Sequence, residues 1–194
     1  MKYLAILTLA ALASATPEKR ATPLGIDVSS YQPDVDWTTV KNNGVSFVYI
    51  KATEGTDYIS PSFSNQYIGA TDAGLIRGGY HFAHPDLSTG ATQADYFLAN
   101  GGGWSADGIT LPGALDIEYN PSGSECYGLT TSQMVSWIQS FSNTYEAATS
   151  RAAFANTNPL WIAIYSSSVG TLPAGWQYET FWQYADSGAN PGDC

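Results

Sequence analysis

Apolar positions along this 194-residue chain follow two rhythms, a period of two and a period near 3.6, and the two take turns. Residues 24–30 alternate: Leu24, Ile26 and Val28 share one face, and Gly25, Asp27 and Ser29 the other. Asp36 opens a short helical stretch over 36–43 that Gly44 closes. A β-prone run follows over 45–52. Residues 62–73 read as a helix, with Phe63, Tyr67 and Ala70 on one face and Gly74 after it. A third strand over 76–83 and a third helix over 89–98 lead to the break Gly101-Gly102-Gly103. Then come a strand over 111–119 and a long helix over 131–147, with Met134, Trp137, Ile138 and Phe141 on one side. Two more strands fall at 160–165 and 180–185.

Strands alternating with helices predict an α/β fold with a parallel sheet and helices outside it. The first and fourth strands carry Asp27, Asp116 and Glu118 on their less apolar faces, near their C-terminal ends. A (β/α) barrel gathers its active site at those ends. An open doubly wound sheet would gather them as well, but no G-x-G-x-x-G follows the first strand, so nothing supports a nucleotide site.

The N-terminus reads as an address. Lys2, the apolar run 4–12 and Ala13-Ser14-Ala15 fit a signal peptide over 1–15. Lys19-Arg20 fits a dibasic cut that ends a short pro-segment, 16–20, and leaves one domain over 21–194. The apolar run is too short to span a bilayer as a helix. The expected location is therefore outside the cell.

Charge narrows the partners. Seven lysines and arginines stand against 17 aspartates and glutamates, a net charge of −10. So few cations argue against nucleic acid, whose phosphates need them, and against an anionic membrane surface. Six tryptophans, 13 tyrosines and 7 phenylalanines exceed what strand faces alone call for, and rings at strand ends suit the faces of sugars. The two cysteines allow one internal bridge, Cys126–Cys194, which a secreted chain permits; a chain end is often mobile, which weighs against it. His81 and His84 form a lone H-x-x-H, too sparse for a zinc site, so neither metal nor cofactor is expected.

Asp116 and Glu118 carry the sharpest chemical signal. Two carboxyl groups at i and i+2 of a strand share a face about 7 Å apart. That arrangement suits acid chemistry on a glycosidic bond, although an acidic strand end in water would look the same.

Gly25-Ile-Asp-Val-Ser-Ser-Tyr-Gln32 resembles the opening of glycoside hydrolase family 25, the Chalaropsis-type lysozymes (N-acetylmuramidases). Phe47-Val-Tyr-Ile-Lys-Ala-Thr-Glu-Gly55, Gly79-Tyr-His-Phe-Ala83 and Leu115-Asp-Ile-Glu118 resemble its next three strands. Asn158-Pro-Leu-Trp-Ile-Ala163 and Phe181-Trp-Gln-Tyr184 resemble later ones, in the same order. The resemblance implies an irregular, flattened (β/α) TIM-like barrel, secreted as a monomer, that cuts the β-1,4 bond between N-acetylmuramic acid and N-acetylglucosamine in peptidoglycan. By position, Glu118 would be the general acid. Asp116 would hold the substrate's acetamido group or stabilise positive charge at the sugar, and Asp27 would tune the pair. Tyr80, His81, Tyr165, Trp182 and Gln183 would line the cleft, with the core as the alternative place for each ring.

The chain departs from the family pattern twice. No β-prone run separates the helix ending near Ala147 from the strand at 160–165, where the family has another strand, and the chain stops before the family's last strand and without the usual partner for Cys126. Six strand candidates predict an incomplete barrel with unpaired edges. Two other readings follow: a barrel that binds amino sugars without cutting them, and a chitinase-like hydrolase. The latter usually carries D-x-x-D-x-D-x-E, of which only the last D-x-E is present.

Overall fold

Four parallel strands form a curled sheet in the order β1-β2-β4-β5, and a separate parallel pair, β6-β7, faces its concave side. The computed structural model describes residues 22–151, 159–173 and 176–186. The elements are β1 (Leu24–Val28), α1 (Trp37–Asn42), β2 (Val45–Glu54), β3 (Tyr58–Ile59), α2 (Phe63–Asp72), β4 (Ile76–Phe82), α3 (Gly90–Ala99), β5 (Ala114–Asp116), α4 (Thr131–Thr149), β6 (Trp161–Ala163) and β7 (Phe181–Gln183). β3 is a short antiparallel return on β2 that the periodicity did not predict, since two residues carry no period.

Helix starts follow local chemistry. Asp36 caps α1 by accepting from the Thr39 amide at 3.0 Å. Thr89 caps α3 in the same way, and Thr130 with Gln133 forms a capping box at α4. Helix α4 runs two residues past the predicted end and stops at Ser150, which takes the left-handed conformation that ends many helices.

The convex side of the sheet is dry. Val28, Val48 and Ile50 pack with Val40 of α1 and Ala70 of α2. Ala52 and Ala83 pack with Phe97 of α3 and with Trp137, Phe141 and Tyr145 of α4. Each large side chain buried here contributes about 1.5–3 kcal/mol. Helices α3 and α4 cross closely: a Cβ on Gly90 would lie 2.2 Å from the Trp137 carbonyl oxygen, so only glycine fits.

The concave side carries the barrel interior. Phe47 and Tyr49 of β2 point inward and meet Trp161 and Phe181 of the second sheet, with ring centroids 5.1–5.9 Å apart. Among the described residues no backbone ladder joins β5 to β6 or β7 to β1. The result is a curled half-barrel with a detached pair of strands, the incomplete TIM-like form that the strand count predicted.

Candidate active site

Asp27, Tyr80 and Asp116 come from three strands of one sheet, β1, β4 and β5, and converge with Glu118 at its C-terminal end. The predicted strand over 111–119 is regular only over Ala114–Asp116. Pro112 has no amide hydrogen to give a ladder, and after Asp116 the chain turns out of the sheet while its carbonyl still accepts from the Ala83 amide at 2.9 Å. The two carboxyl groups lie close enough for the charge of Glu118 to act on Asp116.

Burial pushes the Asp116 carboxyl up to about 7, helped by the charges of Glu118 and Asp27 and opposed by that of Lys51. Asp27 is also raised, by burial first and then by Glu118. Its residue surface is exposed, but that surface opens into the cleft, where protein crowds the carboxyl from the other sides. Tyr80 is pushed well above the ordinary phenol range by burial and by the four carboxylates around it, Asp27, Asp116, Glu118 and Glu54. It stays a neutral donor.

The loop after Glu118 is held firmly. Asn120 donates its amide to the Glu125 carbonyl at 3.0 Å, and the buried Tyr127 donates its hydroxyl to the Ala83 carbonyl at 3.2 Å. Tyr127 adopts φ 57°, a conformation that costs a side-chain-bearing residue about 1–3 kcal/mol. Beside this loop lies a hollow of about 330 Å³, lined among others by His84, Leu87, Asn120 and Tyr127.

Sequence reading missed a second charged cluster. Lys51 pairs with one oxygen of Glu54, and His84 Nε2 lies 2.8 Å from the other. Lys51 and Glu54 are three residues apart and would face opposite ways on a regular strand. A bulge between Lys51 and Thr53 brings them to the same side. Burial acts to raise Glu54, but the hydrogen bonds and charges of Lys51 and His84 hold it below its ordinary range.

His81 corrects an expectation. It faces the helices, fully buried, and not the cleft. Strand alternation puts it opposite Tyr80. Its Nδ1 accepts from Thr53 at 2.8 Å, its Nε2 donates to Gln93 Oε1 at 2.9 Å, and its ring stacks on Phe141. Burial lowers it to about 4. Trp182 also lies on the other side of its strand from Phe181, with its indole N–H bonded to the Ile164 carbonyl at 2.8 Å. It braces β6 and is not brought to the carboxylates. Tyr165 is half exposed, and its phenol is raised by burial and by the charges of Asp186, Glu118, Asp27 and Asp116. Gln183 shares the Phe181 side of β7 by alternation. Exposed tyrosines that the sequence reading left aside, Tyr31, Tyr119 and Tyr184, follow β1, β5 and β7 on the same rim. Cys126 is exposed, and its expected partner Cys194 lies outside the described residues. The leader and pro-segment, 1–20, lie outside them too.

Residues 26–193 match the family model described as glycosyl hydrolases family 25. The chain belongs to that family. It is a glycoside hydrolase by descent. It is 52% identical to the N,O-diacetylmuramidase of a Chalaropsis species, over 88% of this chain and 92% of that protein. That alignment is 193 positions long, so the relative holds residues that face a gap here. Among solved structures, a muramidase from Acremonium alcalophilum matches with a TM-score of 0.84 and 56% identity, covering 87% of this chain and 90% of that one. A family GH25 lysozyme from Aspergillus fumigatus matches with a TM-score of 0.84 and 50% identity, over the same shares.

Proposed function

We propose that the protein is a muramidase that hydrolyses the β-1,4 bond between N-acetylmuramic acid and N-acetylglucosamine in bacterial peptidoglycan. The observation that carries this reading is the gathering of Asp27, Asp116 and Glu118 at one end of the sheet, where burial and neighbouring carboxylates push Asp116 up to about 7 and raise Asp27. Glycoside hydrolysis needs one carboxylic acid to protonate the leaving oxygen and one carboxylate to support the positive charge that develops at the sugar. Glu118 serves as the acid, Asp116 as the carboxylate or the partner of the acetamido group, and Asp27 as a like-charged neighbour that tunes the pair.

The open rim supports a polymeric substrate. Tyr165, Tyr119 and Tyr31 offer exposed ring faces to sugars, Tyr80 offers a neutral hydroxyl, and Gln183 a side-chain amide. The names of the relatives, N,O-diacetylmuramidase and lysozyme, support the same substrate. Action outside the cell, by a monomer released from its 1–20 leader, follows from that substrate and from the N-terminal sequence. No helix among the described residues is long and apolar enough to cross a membrane.

The test is clearing of a bacterial cell-wall suspension by the secreted protein, with Glu118→Gln beside it. Clearing by the parent and a loss of at least about a hundredfold in the variant is the expected result. The strand edges left unpaired among the described residues favour one other reading, a barrel that binds wall glycan without cutting it; retention on walls with no clearing by folded parent would establish that instead.

A further inference from the structure

The loops that follow β4 and β5 enclose the hollow of about 330 Å³. That volume falls within the range of ligand sites. Asn120 in its wall follows Glu118 by two residues, so their Cα atoms are at most about 7 Å apart. The roles given to Asp27, Asp116 and Glu118 make no use of this space.

Both walls are tied down. Gln93 of α3 is fully buried and grips the first loop. Its Nε2 donates to the His84 carbonyl at 2.7 Å and to Ser88 Oγ at 2.9 Å. Its Oε1 accepts from the His84 amide at 3.1 Å and from the His81 ring at 2.9 Å. A glutamine side chain has two donor and two acceptor positions, and Gln93 uses all four. The Trp137 indole adds a bond to the Ser88 carbonyl at 2.7 Å. In the second loop, Tyr127 donates its hydroxyl to the Ala83 carbonyl and its amide to the Ser124 carbonyl at 2.7 Å. The Ser122 amide donates to Asn120 Oδ1 at 2.9 Å. Walls fixed in this way spare a ligand the cost of ordering them.

Between the clamped ends of the first loop, Asp86 and Leu87 are exposed, Leu87 by 63%. No cation pairs with Asp86 among the described residues, where the ion pairs are Lys51–Glu54, Arg77–Asp107 and His84–Glu54. The buried Tyr127 phenol in the wall is raised by burial and then by the charges of Asp86, Glu118, Asp116 and Glu54. Carboxylates grouped on this side favour a cation in the hollow. The second loop adds the Asn120 amide and the Ser122 and Ser124 hydroxyls, which suit peptide N–H and C=O groups.

We propose that the hollow is a subsite for a short, ammonium-bearing peptide branch of the wall polymer, with Asp86 meeting the ammonium and Leu87 an aliphatic side chain. This rests on the muramidase reading, because it is the muramic acid of peptidoglycan that carries amino-acid branches. A further neutral sugar has no positive charge to set against Asp86, so the unpaired carboxylate favours the branch.

The probe is the free tetrapeptide L-Ala-γ-D-Glu-L-Lys-D-Ala, titrated into the full protein and followed by 1H–15N NMR. Amide signals of residues 84–88 and 120–128 should move. Asp86→Asn, at an exposed position, should weaken binding about fivefold, and so should acetylation of the peptide's lysine amine. On soluble wall fragments, acetylating the lysine amines should raise KM about fivefold for the parent and leave kcat unchanged. No movement of those amides at millimolar peptide, or movement that both changes leave undiminished, overturns the proposal. The acetylated peptide tests the charge even if Asp86→Asn does not fold. A parent that cuts peptide-free wall glycan with the same KM as intact fragments would also sink the subsite and leave the muramidase reading standing. A parent that cuts neither would remove that reading, and the peptide titration would then decide the hollow alone.

Discussion

Tyr49 and Trp161 join the two sheets. Their ring centroids lie 5.1 Å apart, and the Tyr49 hydroxyl donates to the Pro112 carbonyl at 3.1 Å, on the segment leading into β5. One side chain of β2 thus touches the detached pair of strands and the approach to β5. With no backbone ladder between the sheets among the described residues, rings do the joining.

Trp161→Ala should therefore detach β6 and β7. The expected cost is on the order of 3 kcal/mol. Near-UV circular dichroism would show lost aromatic asymmetry, while far-UV helix signal from α2 to α4 persists. A melting temperature within a degree of the parent would mean the rings do not hold the sheets together.

Tyr145 ties α4 to the loop before β5. Its hydroxyl accepts from the Gly113 amide at 2.6 Å and donates to the Gly102 carbonyl at 2.8 Å. Tyr145→Phe keeps the packing and removes both bonds, at a cost of about 1–3 kcal/mol. Urea denaturation should show a lower midpoint with an unchanged slope.

Asp116→Asn should lower wall clearing by about two orders of magnitude or more while leaving binding to walls in place. The amide keeps the size but cannot carry the negative charge. Pull-down on cell walls beside the clearing assay separates the two effects. Weakened binding with a proportionate loss of rate would instead mark Asp116 as a binding residue only.

Stability against pH should reveal two opposed titrations. His81 is lowered from 6.5 to about 4, so between these values the unfolded chain binds the extra proton, and acid destabilises the fold. Asp116 is raised from 3.8 to about 7, so between these values the folded chain holds the extra proton, and acid stabilises it. Asp27 acts in the same direction as Asp116. The parent should change little between pH 6.5 and 4, whereas Asp116→Asn should lose melting temperature across that window. Superimposable curves would contradict the assigned directions.

The order of strands and helices was legible because each element repeats its apolar residues at its own period, and because Asp36, Thr89 and Thr130 cap helices through bonds to residues three positions on. The carboxylates were legible for the same reason: Asp27, Asp116 and Glu118 break apolar runs at strand ends. What alternation cannot supply is which face of a strand meets the helices. His81 and Tyr80 are adjacent in sequence, and only the packing of β4 against α3 and α4 sends one to the core and the other to the cleft. Nor does local periodicity show a bulge. The extra residue near Ala52 turns Glu54 toward Lys51 and, across 30 positions, toward His84. The sequence by itself determined the elements and the carboxylate pair, since both are written in local spacing. The tertiary structure decided the surroundings of that pair, because burial and neighbouring charge depend on residues that the chain brings together only by folding.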